Sequence, residues 1–305
     1  MSHRDNIIKK NKELSKPMDL MNVGFVGVVE PTPVPLLNWS TFSANITQRT
    51  PSSTGGGTSS SYLVSGLRAP ASGNNVYGTT QSLNGTTWSN VSNQPTGVIH
   101  ASGGGDSNSD HIVAGGYNIS VGGNAGNIAT IKFNGSSWST TGNLPSASWG
   151  FVGDGNTSDA IMGGNMSYGF GNRSAKFNGS NWSSISGGVG VVGTGSMAGR
   201  STDAMHTYNG ASEKYNGSSW STLSSLSSTS AGNGGTGGNS LSCLAFGGGS
   251  IKTDEYDGSS WSTKNDFVSS SAGKARTCRM KPNGTGLSVW DGVNSAGNGT
   301  CYTYG

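Results

Sequence analysis

One short motif recurs along this chain and constrains its fold more than any other feature. The stretch FNGSSWST at 133–140 has close copies that begin at residues 83, 177, 215 and 256. The tryptophans of the five copies are residues 88, 138, 182, 220 and 261, so they are spaced 38 to 50 residues apart. That spacing is typical of propeller blades, each built from four strands. The sequence therefore predicts an all-β chain made of repeated blades.

Each copy of the motif carries a hairpin signal. Asn-Gly or Asp-Gly between two strand-like runs is typical of a tight turn, since these residues tolerate positive φ. With a two-residue loop, Asn134 and Gly135, Ile131 lies opposite Trp138; with a four-residue loop, Phe133 lies opposite Trp138. Strand side chains alternate between faces, so both registers place Phe133 and Trp138 on one face. We predict that such aromatic pairs join neighbouring blades.

The two ends of the chain carry the two halves of the same motif. LLNWSTFSANI, from residue 36, matches the tryptophan half, and TCYTYG at 300–305 matches the half that precedes it. An apolar strand also stands ahead of each hairpin, as in HIVAGG from 111 and CLAFGG from 243. We predict that residues 37–42 pair with residues 301–304, which leaves no open sheet edge. The expected fold is a six-bladed β-propeller over 37–305, with four-stranded blades, closed by its terminal strands.

Residues 1–36 have no repeat character and form a separate segment. A short helix at 7–20, an apolar strand at 23–29 and an extended stretch around three prolines are compatible with this sequence. Leaving the apolar residues of 23–29 in water would be unfavourable. We therefore predict an anchoring arm that inserts into a neighbouring protein; an unstructured tail is the alternative.

Composition excludes several classes of partner. Charged residues make up only 11% of the chain and the net charge is +3, so no strong field attracts nucleic acid or an acidic membrane. The basic cluster Lys274, Arg276, Arg279 and Lys281 is interpreted as a solvated strand face. No apolar run approaches the roughly 20 residues of a membrane helix, and the patch at 23–29 is too short for a secretion signal. We predict neither nucleic-acid binding nor membrane insertion.

No cofactor or metal site is predicted. Cys243, Cys278 and Cys301 are odd in number and lack CxxC spacing, so one disulfide is possible and a zinc site is not indicated. Of the four histidines, His3 lies in the arm, and His111 and His206 lie within blade strands; His100 is the fourth. A packed role is expected for the two strand histidines.

Two acidic patterns are candidate sites. Asp106, Asn108 and Asp110 could begin a calcium loop, but His111 stands where such a loop needs glycine, so turn chemistry is the preferred interpretation. Glu213 and Glu255 lie in equivalent strands of adjacent blades, which structural equivalence explains better than glycosidase chemistry. We predict that the chain is not an enzyme.

A glycine pair, an aromatic residue and a tryptophan in successive strands resemble the kelch repeat, as in Gly163, Gly164, Phe177 and Trp182. The resemblance extends over 37–305. Repeats such as YNGSSWS in a chain rich in Gly, Ser and Asn also resemble the kelch-like propellers of bacteriophage structural proteins. That resemblance implies a non-enzymatic virion component.

The expected role is a propeller displayed on a phage tail or capsid. Its arm, residues 1–36, would bind other virion proteins, with host-surface glycan recognition as an added role. The chain would be made in the host cytoplasm and located in the virion. A carbohydrate-binding, lectin-like propeller is the alternative, and a galactose-oxidase-type enzyme, which needs a Tyr, a Cys and two His together, is the third reading.

Overall fold

A computed structural model of the chain describes residues 39–41, 54–67, 78–98, 100–116, 126–150, 152–164, 174–186, 195–227, 235–247, 251–266, 275–280, 286–290 and 301–304. Internal contacts divide the chain into two units, Met1–Leu36 and Leu37–Gly305. The first unit, with its predicted helix and anchoring function, lies outside the described residues. Its role stays a prediction.

The described residues form strands and no helix. The first strand, β1, is Trp39–Thr41. Blade 1 contains β2 (Thr54–Thr58), β3 (Ser61–Leu67), β4 (Thr79–Asn84) and β5 (Thr87–Val91). Blade 2 contains β6 (Ser102–Ser107), β7 (Asp110–Ala114), β8 (Thr130–Phe133) and β9 (Trp138–Thr141). Blade 3 contains β10 (Val152–Gly155), β11 (Ala160–Gly163), β12 (Ser174–Phe177) and β13 (Trp182–Ile185).

The remaining strands follow the same order. Blade 4 contains β14 (Gly195–Arg200), β15 (Asp203–Tyr208), β16 (Ala211–Tyr215) and β17 (Trp220–Thr222). Blade 5 contains β18 (Gly235–Gly238), β19 (Cys243–Phe246), β20 (Thr253–Tyr256) and β21 (Trp261–Thr263). The last strands are β22 (Ala275–Met280), β23 (Gly286–Trp290) and β24 (Cys301–Tyr304). Within each blade, consecutive strands are antiparallel, and the first strand is innermost.

The predicted count of six blades is corrected to five. Five sheets consist of four consecutive strands each, and these are the blades whose packed side chains are described. The predicted sixth blade combines the half-motifs at the two chain ends. Those ends form a further four-stranded sheet, in the order β1-β24-β23-β22, which we call the closing sheet. It is described as backbone, apart from the exposed residue Ser40.

The predicted pairing of the chain ends is confirmed. In the closing sheet, β1 runs antiparallel to β24, with Trp39 opposite Tyr304 and Thr41 opposite Tyr302. Phe133 lies opposite Trp138 in the same way in blade 2, so Trp39 occupies the register of the repeat tryptophans. The innermost strand of this sheet, β22, contacts β18 of blade 5 and β2 of blade 1. The closing sheet therefore completes the ring of inner strands.

The hairpin of the repeat has the four-residue loop in blades 2 to 5. In blade 2, the Asn134 side-chain oxygen accepts the backbone N–H groups of Ser136 and Ser137 at 3.0 and 2.9 Å. Gly135 follows with φ of 98°, a conformation that favours glycine. Blade 1 differs, because Asn84 pairs with Thr87 and leaves a two-residue turn. The side-chain cap on the longer loop explains why an Asn or Asp precedes the glycine in the copies of blades 2 to 5.

The aromatic pairs join neighbouring blades, as predicted. The ring centroids of Phe177 and Trp182 are 5.0 Å apart, and the Trp182 side chain is nearly buried. Its indole N–H donates to the Thr130 hydroxyl of blade 2 at 2.9 Å. Trp220 and Trp261 repeat this bond to serine hydroxyls of their preceding blades, at 3.1 and 3.0 Å. Each such tryptophan therefore fills one interface and satisfies a buried polar group there.

The inner strands are rich in glycine because adjacent backbones meet there. A Cβ added to Gly56 would overlap the backbone of Gly105 in the next blade, and one added to Gly104 would approach the backbone of Gly155. Glycine is therefore required where a neighbouring backbone comes this close. This explains how a chain with few large apolar residues packs a ring of blades.

Candidate functional site

The propeller has two faces that differ in chemistry. On the turn face, short turns join the first strand of a blade to the second and the third to the fourth. On the connection face, segments of variable length join the second strand to the third, from two residues in blade 4 to fifteen in blade 2, and further segments lead into the next blade. The repeat fixes the turn face, whereas the connections vary in length and sequence. Function that differs from blade to blade is therefore expected on the connection face.

On the turn face, one polar bond recurs from blade to blade. The Asp110 carboxylate accepts the backbone N–H of Thr157 at 2.9 Å, and Asp159 accepts that of Ser201 at 2.9 Å. Asp203 and Ser61 make the same kind of bond to the turns of their following blades. The residue that begins or precedes the second strand thus ties each turn to the next blade.

The candidate calcium residues are used in such bonds. Asp106 pairs with Arg200 of blade 4 and accepts a bond from the Asn156 amide. The Asn108 amide donates to the Leu83 carbonyl at 3.0 Å, and Asp110 binds the turn of blade 3. Each of the three side chains therefore has a partner in another blade. No group of three or more His, Cys, Asp or Glu suited to a metal lies within the described residues.

A buried carboxylate crosses between the inner strands near this cluster. Asp154 accepts the backbone N–H groups of Gly155 at 2.7 Å and of Gly199 in blade 4 at 3.0 Å. The guanidinium of Arg200 also lies 3.9 Å from this carboxylate. The arrangement joins blades 2, 3 and 4 through charge and backbone bonds. We interpret it as structural, because its polar atoms are directed at the inner strands.

On the connection face, a cavity of about 270 Å³ opens between blades 2 and 3. Its apolar lining includes Leu144, Pro145 and Met162, and its polar lining includes Ser148 and Ser184. No charged side chain is among its described lining residues. Such a mixed, neutral lining is typical of a small-molecule site.

The cavity lies beside a cross-strand pair whose residues differ from blade to blade. Cross-strand pairs at this level are Val64 with Gln81, Val113 with Ile131, Met162 with Ala175, His206 with Glu213, and Ala245 with Asp254. We call this set the variable pair. The layer next to it keeps a large apolar residue in each second strand: Leu63, Ile112, Ile161, Met205 and Leu244. Blade 3 alone has alanine on the third strand of its variable pair, and the cavity lies beside it.

The variable pair of blade 4 is the buried His206 and Glu213. The imidazole Nδ1 lies 3.5 Å from a Glu213 carboxylate oxygen, and the ring stacks on Tyr208 with centroids 4.9 Å apart. Burial lowers the pKa of His206, and the Glu213 carboxylate opposes that shift. The histidine is therefore a packed residue whose neutral form is favoured near pH 7.

His100 has an unusual backbone on the connection face. It adopts φ of 54°, at the position that Gly150 takes with φ of 73° in the next blade. The Gly150 N–H donates to the His100 carbonyl at 2.7 Å, and the His100 ring lies 5.7 Å from that of Trp149. A left-handed conformation at a non-glycine residue costs about 1–2 kcal/mol. Sequence reasoning missed this residue, although the glycine at 150 marks the position.

The other predicted residues are dispersed. Cys243 is buried as a free thiol in blade 5, and burial raises its pKa. The side chains of Cys278 and Cys301 lie outside the described residues, so the possible disulfide stays open. His111 is buried and lies edge-on to Trp138 at 6.2 Å, a packed role as predicted. Glu255 forms an ion pair with Lys264 at 2.7 Å on the surface.

The basic cluster falls mostly outside the described part of the chain. Arg276 and Arg279 belong to β22, and nothing is described of their side chains. Lys274 and Lys281 lie in undescribed segments. Among the described residues, no helix is long and apolar enough to span a membrane.

Comparisons with known proteins support the fold. No family model matches the sequence, and no curated protein matches it. Among solved structures, one described as the structure of YjhT superposes with a TM-score of 0.61 at 14% identity. The match covers 87% of this chain and 95% of that protein. At this identity the likeness shows a shared propeller fold and nothing about activity.

Proposed function

We propose that this protein is a non-enzymatic structural component of a virus particle, a kelch-like propeller displayed on a phage tail or capsid. Residues 1–36 anchor it to other virion proteins, and the propeller faces outward. The protein is synthesised in the host cytoplasm and is incorporated into the virion.

The burial and hydrogen bonding of the repeat tryptophans support this proposal. In a lectin with repeated sites, these residues would be exposed as stacking platforms for sugar rings. Here Trp182 and Trp261 are only 8% exposed, and their indole N–H groups bind the preceding blades. The repeat is therefore used to hold the ring together. A rigid ring joined to a non-repeat segment suits a display module.

Particle association tests the proposal. Particles purified from the producing culture on a density gradient should contain the full-length chain at a constant ratio to the capsid protein. A chain that lacks 1–36 should stay in the supernatant while keeping its fold, as judged by circular dichroism. Recovery of the full-length protein only outside particles would contradict the proposal.

A second function is favoured by the cavity between blades 2 and 3. Its neutral, mixed lining suits a carbohydrate, so a lectin-like propeller that is free of any particle is the alternative. Binding to a glycan array without association with particles would favour this reading.

A further inference from the structure

We propose that the cavity between blades 2 and 3 binds one neutral sugar residue, such as the end of a glycan chain. This proposal deepens the display function proposed above. It rests on that function only for the source of the glycan, which would be a host surface. The binding chemistry belongs to the cavity itself.

The cavity is produced by one small side chain. Ala175 occupies the third-strand position of the variable pair, where the other blades have Gln81, Ile131, Glu213 and Asp254. A larger side chain at that position would extend into the space that is open in blade 3. Protein interiors rarely leave such space unfilled. The alanine therefore converts a packed interface into a recess.

The lining matches the two surfaces of a sugar. A sugar ring has an apolar C–H face, which Leu144, Pro145 and Met162 can cover. Its hydroxyl groups can exchange bonds with Ser184 and with the carbonyl of Ser146, which already accepts the Ser148 hydroxyl at 3.2 Å. Hydroxyls are both donors and acceptors, so they suit a ligand with the same property.

The neutrality of the cavity selects against charged ligands. The described lining offers hydroxyls, backbone groups and apolar atoms and contains no charged side chain. An ionised group placed there would lose hydration without gaining an opposite charge from the described lining residues. Neutral hexoses and N-acetylhexosamines are therefore favoured over uronic acids.

The size of the cavity selects a single ring. Drug-sized ligands occupy pockets of roughly 300 to 1,000 Å³. The volume of about 270 Å³ lies just below that range. One ring can occupy that volume, and the rest of a longer glycan extends into solvent.

The test uses the purified full-length chain and ligand-observed saturation-transfer NMR. The probes are galactose, glucose and N-acetylglucosamine, with glucuronate as the charged comparison. The variant Ala175→Gln places in blade 3 the side chain that residue 81 supplies in blade 1. The matched control is Ser183→Gln, which adds the same side chain on the exposed opposite face of the next strand.

We expect at least one neutral sugar to bind with a dissociation constant on the order of 1 mM. Ala175→Gln should weaken that binding at least tenfold, whereas Ser183→Gln should leave it unchanged, and both variants should melt cooperatively. Transfer to none of the neutral probes, equal binding by wild type and Ala175→Gln, or preference for glucuronate would each overturn the proposal. Ala175→Gln should still be recovered with particles, so failure of the sugar site and failure of the display function are distinguishable.

Discussion

Replacing Trp182 with alanine should destabilise the propeller more than the same replacement of Trp138 in blade 2. The side chain is 8% exposed, pairs with Phe177 at 5.0 Å, and belongs to the apolar cluster between blades 2 and 3. Deleting a buried aromatic residue of this size costs about 3–5 kcal/mol. Trp138 is more exposed, so its replacement should cost less.

The indole hydrogen bond can be separated from the packing. Trp182→Phe keeps an aromatic ring but leaves the Thr130 hydroxyl, 1% exposed, without its indole donor. An unsatisfied buried group costs about 1–3 kcal/mol. Thr130→Val removes the hydroxyl and keeps the shape, so the double variant should recover part of that loss.

Urea unfolding followed by circular dichroism measures all four proteins of this double-mutant cycle. The expected coupling between residues 130 and 182 is about 0.5–1.5 kcal/mol, the usual net value of one hydrogen bond. Zero coupling would refute the bond between the blades. A Trp182→Ala variant as stable as the wild type would refute the burial of the ring, and would favour tryptophans that serve as ligand platforms.

Three further outcomes are expected. A chain without residues 1–36 should have a melting temperature close to that of the full chain. Removal of residues 1–42 deletes β1 and exposes the edge of β24, so it should lower the melting temperature or cause aggregation. Equal melting temperatures of the two truncated chains would contradict the closure. His100→Gly should leave the free energy of unfolding unchanged or raise it by up to about 1 kcal/mol, since relief of the left-handed strain exceeds the cost of a more flexible unfolded chain. The control Gly150→Ala should destabilise the protein. A clear loss of stability in His100→Gly would contradict the strain. Because the pKa of His206 is lowered on folding, the unfolded chain takes up a proton first, so stability should fall as pH drops below about 6.5. Urea unfolding at pH 7.5 and 5.5 checks this, and His206→Gln should reduce the difference; an unchanged difference would assign it to other groups.

The repeat made the blades and their aromatic pairs predictable, because strand alternation places the two rings on one face in either register. It did not decide the register. In the register that Asn-Gly favours, Asn134 and Gly135 would form a two-residue turn, but in blade 2 the Asn134 side chain caps a four-residue loop. The two-residue turn of blade 1 consists of Gly85 and Thr86 instead. The serines that follow Asn134 supply the N–H groups for that cap, which is a signal visible in the sequence.

The cavity could not be predicted from the motif. Ala175 becomes informative only when its strand is compared with the equivalent strands of the other blades. There the same position is occupied by a larger side chain: Gln81, Ile131, Glu213 or Asp254. The strain at His100 was hidden for the same reason, since it appears only when the residue is compared with Gly150. Both features depend on equivalence between blades.

The acidic run at 106–110 shows how local pattern and long-range contact compete. Alternate oxygens along a loop are what a calcium ion needs. In the folded ring, Asp106 meets Arg200, two blades away, and Asp110 meets the turn of blade 3. Neither contact is encoded near the run, so the local pattern alone could not distinguish a metal loop from a structural bond.

The distribution of variation through the blades connects fold and function. The glycines of the inner strands, the tryptophan bonds and the turn bonds repeat because each blade must fit the one beside it. The variable pair is released from that requirement, since blades tolerate Val with Ile, His with Glu, or Met with Ala at the same position. A ring held together by its constant layers can therefore change one pair and open a recess without loss of closure. In this chain the recess is located on the connection face between blades 2 and 3.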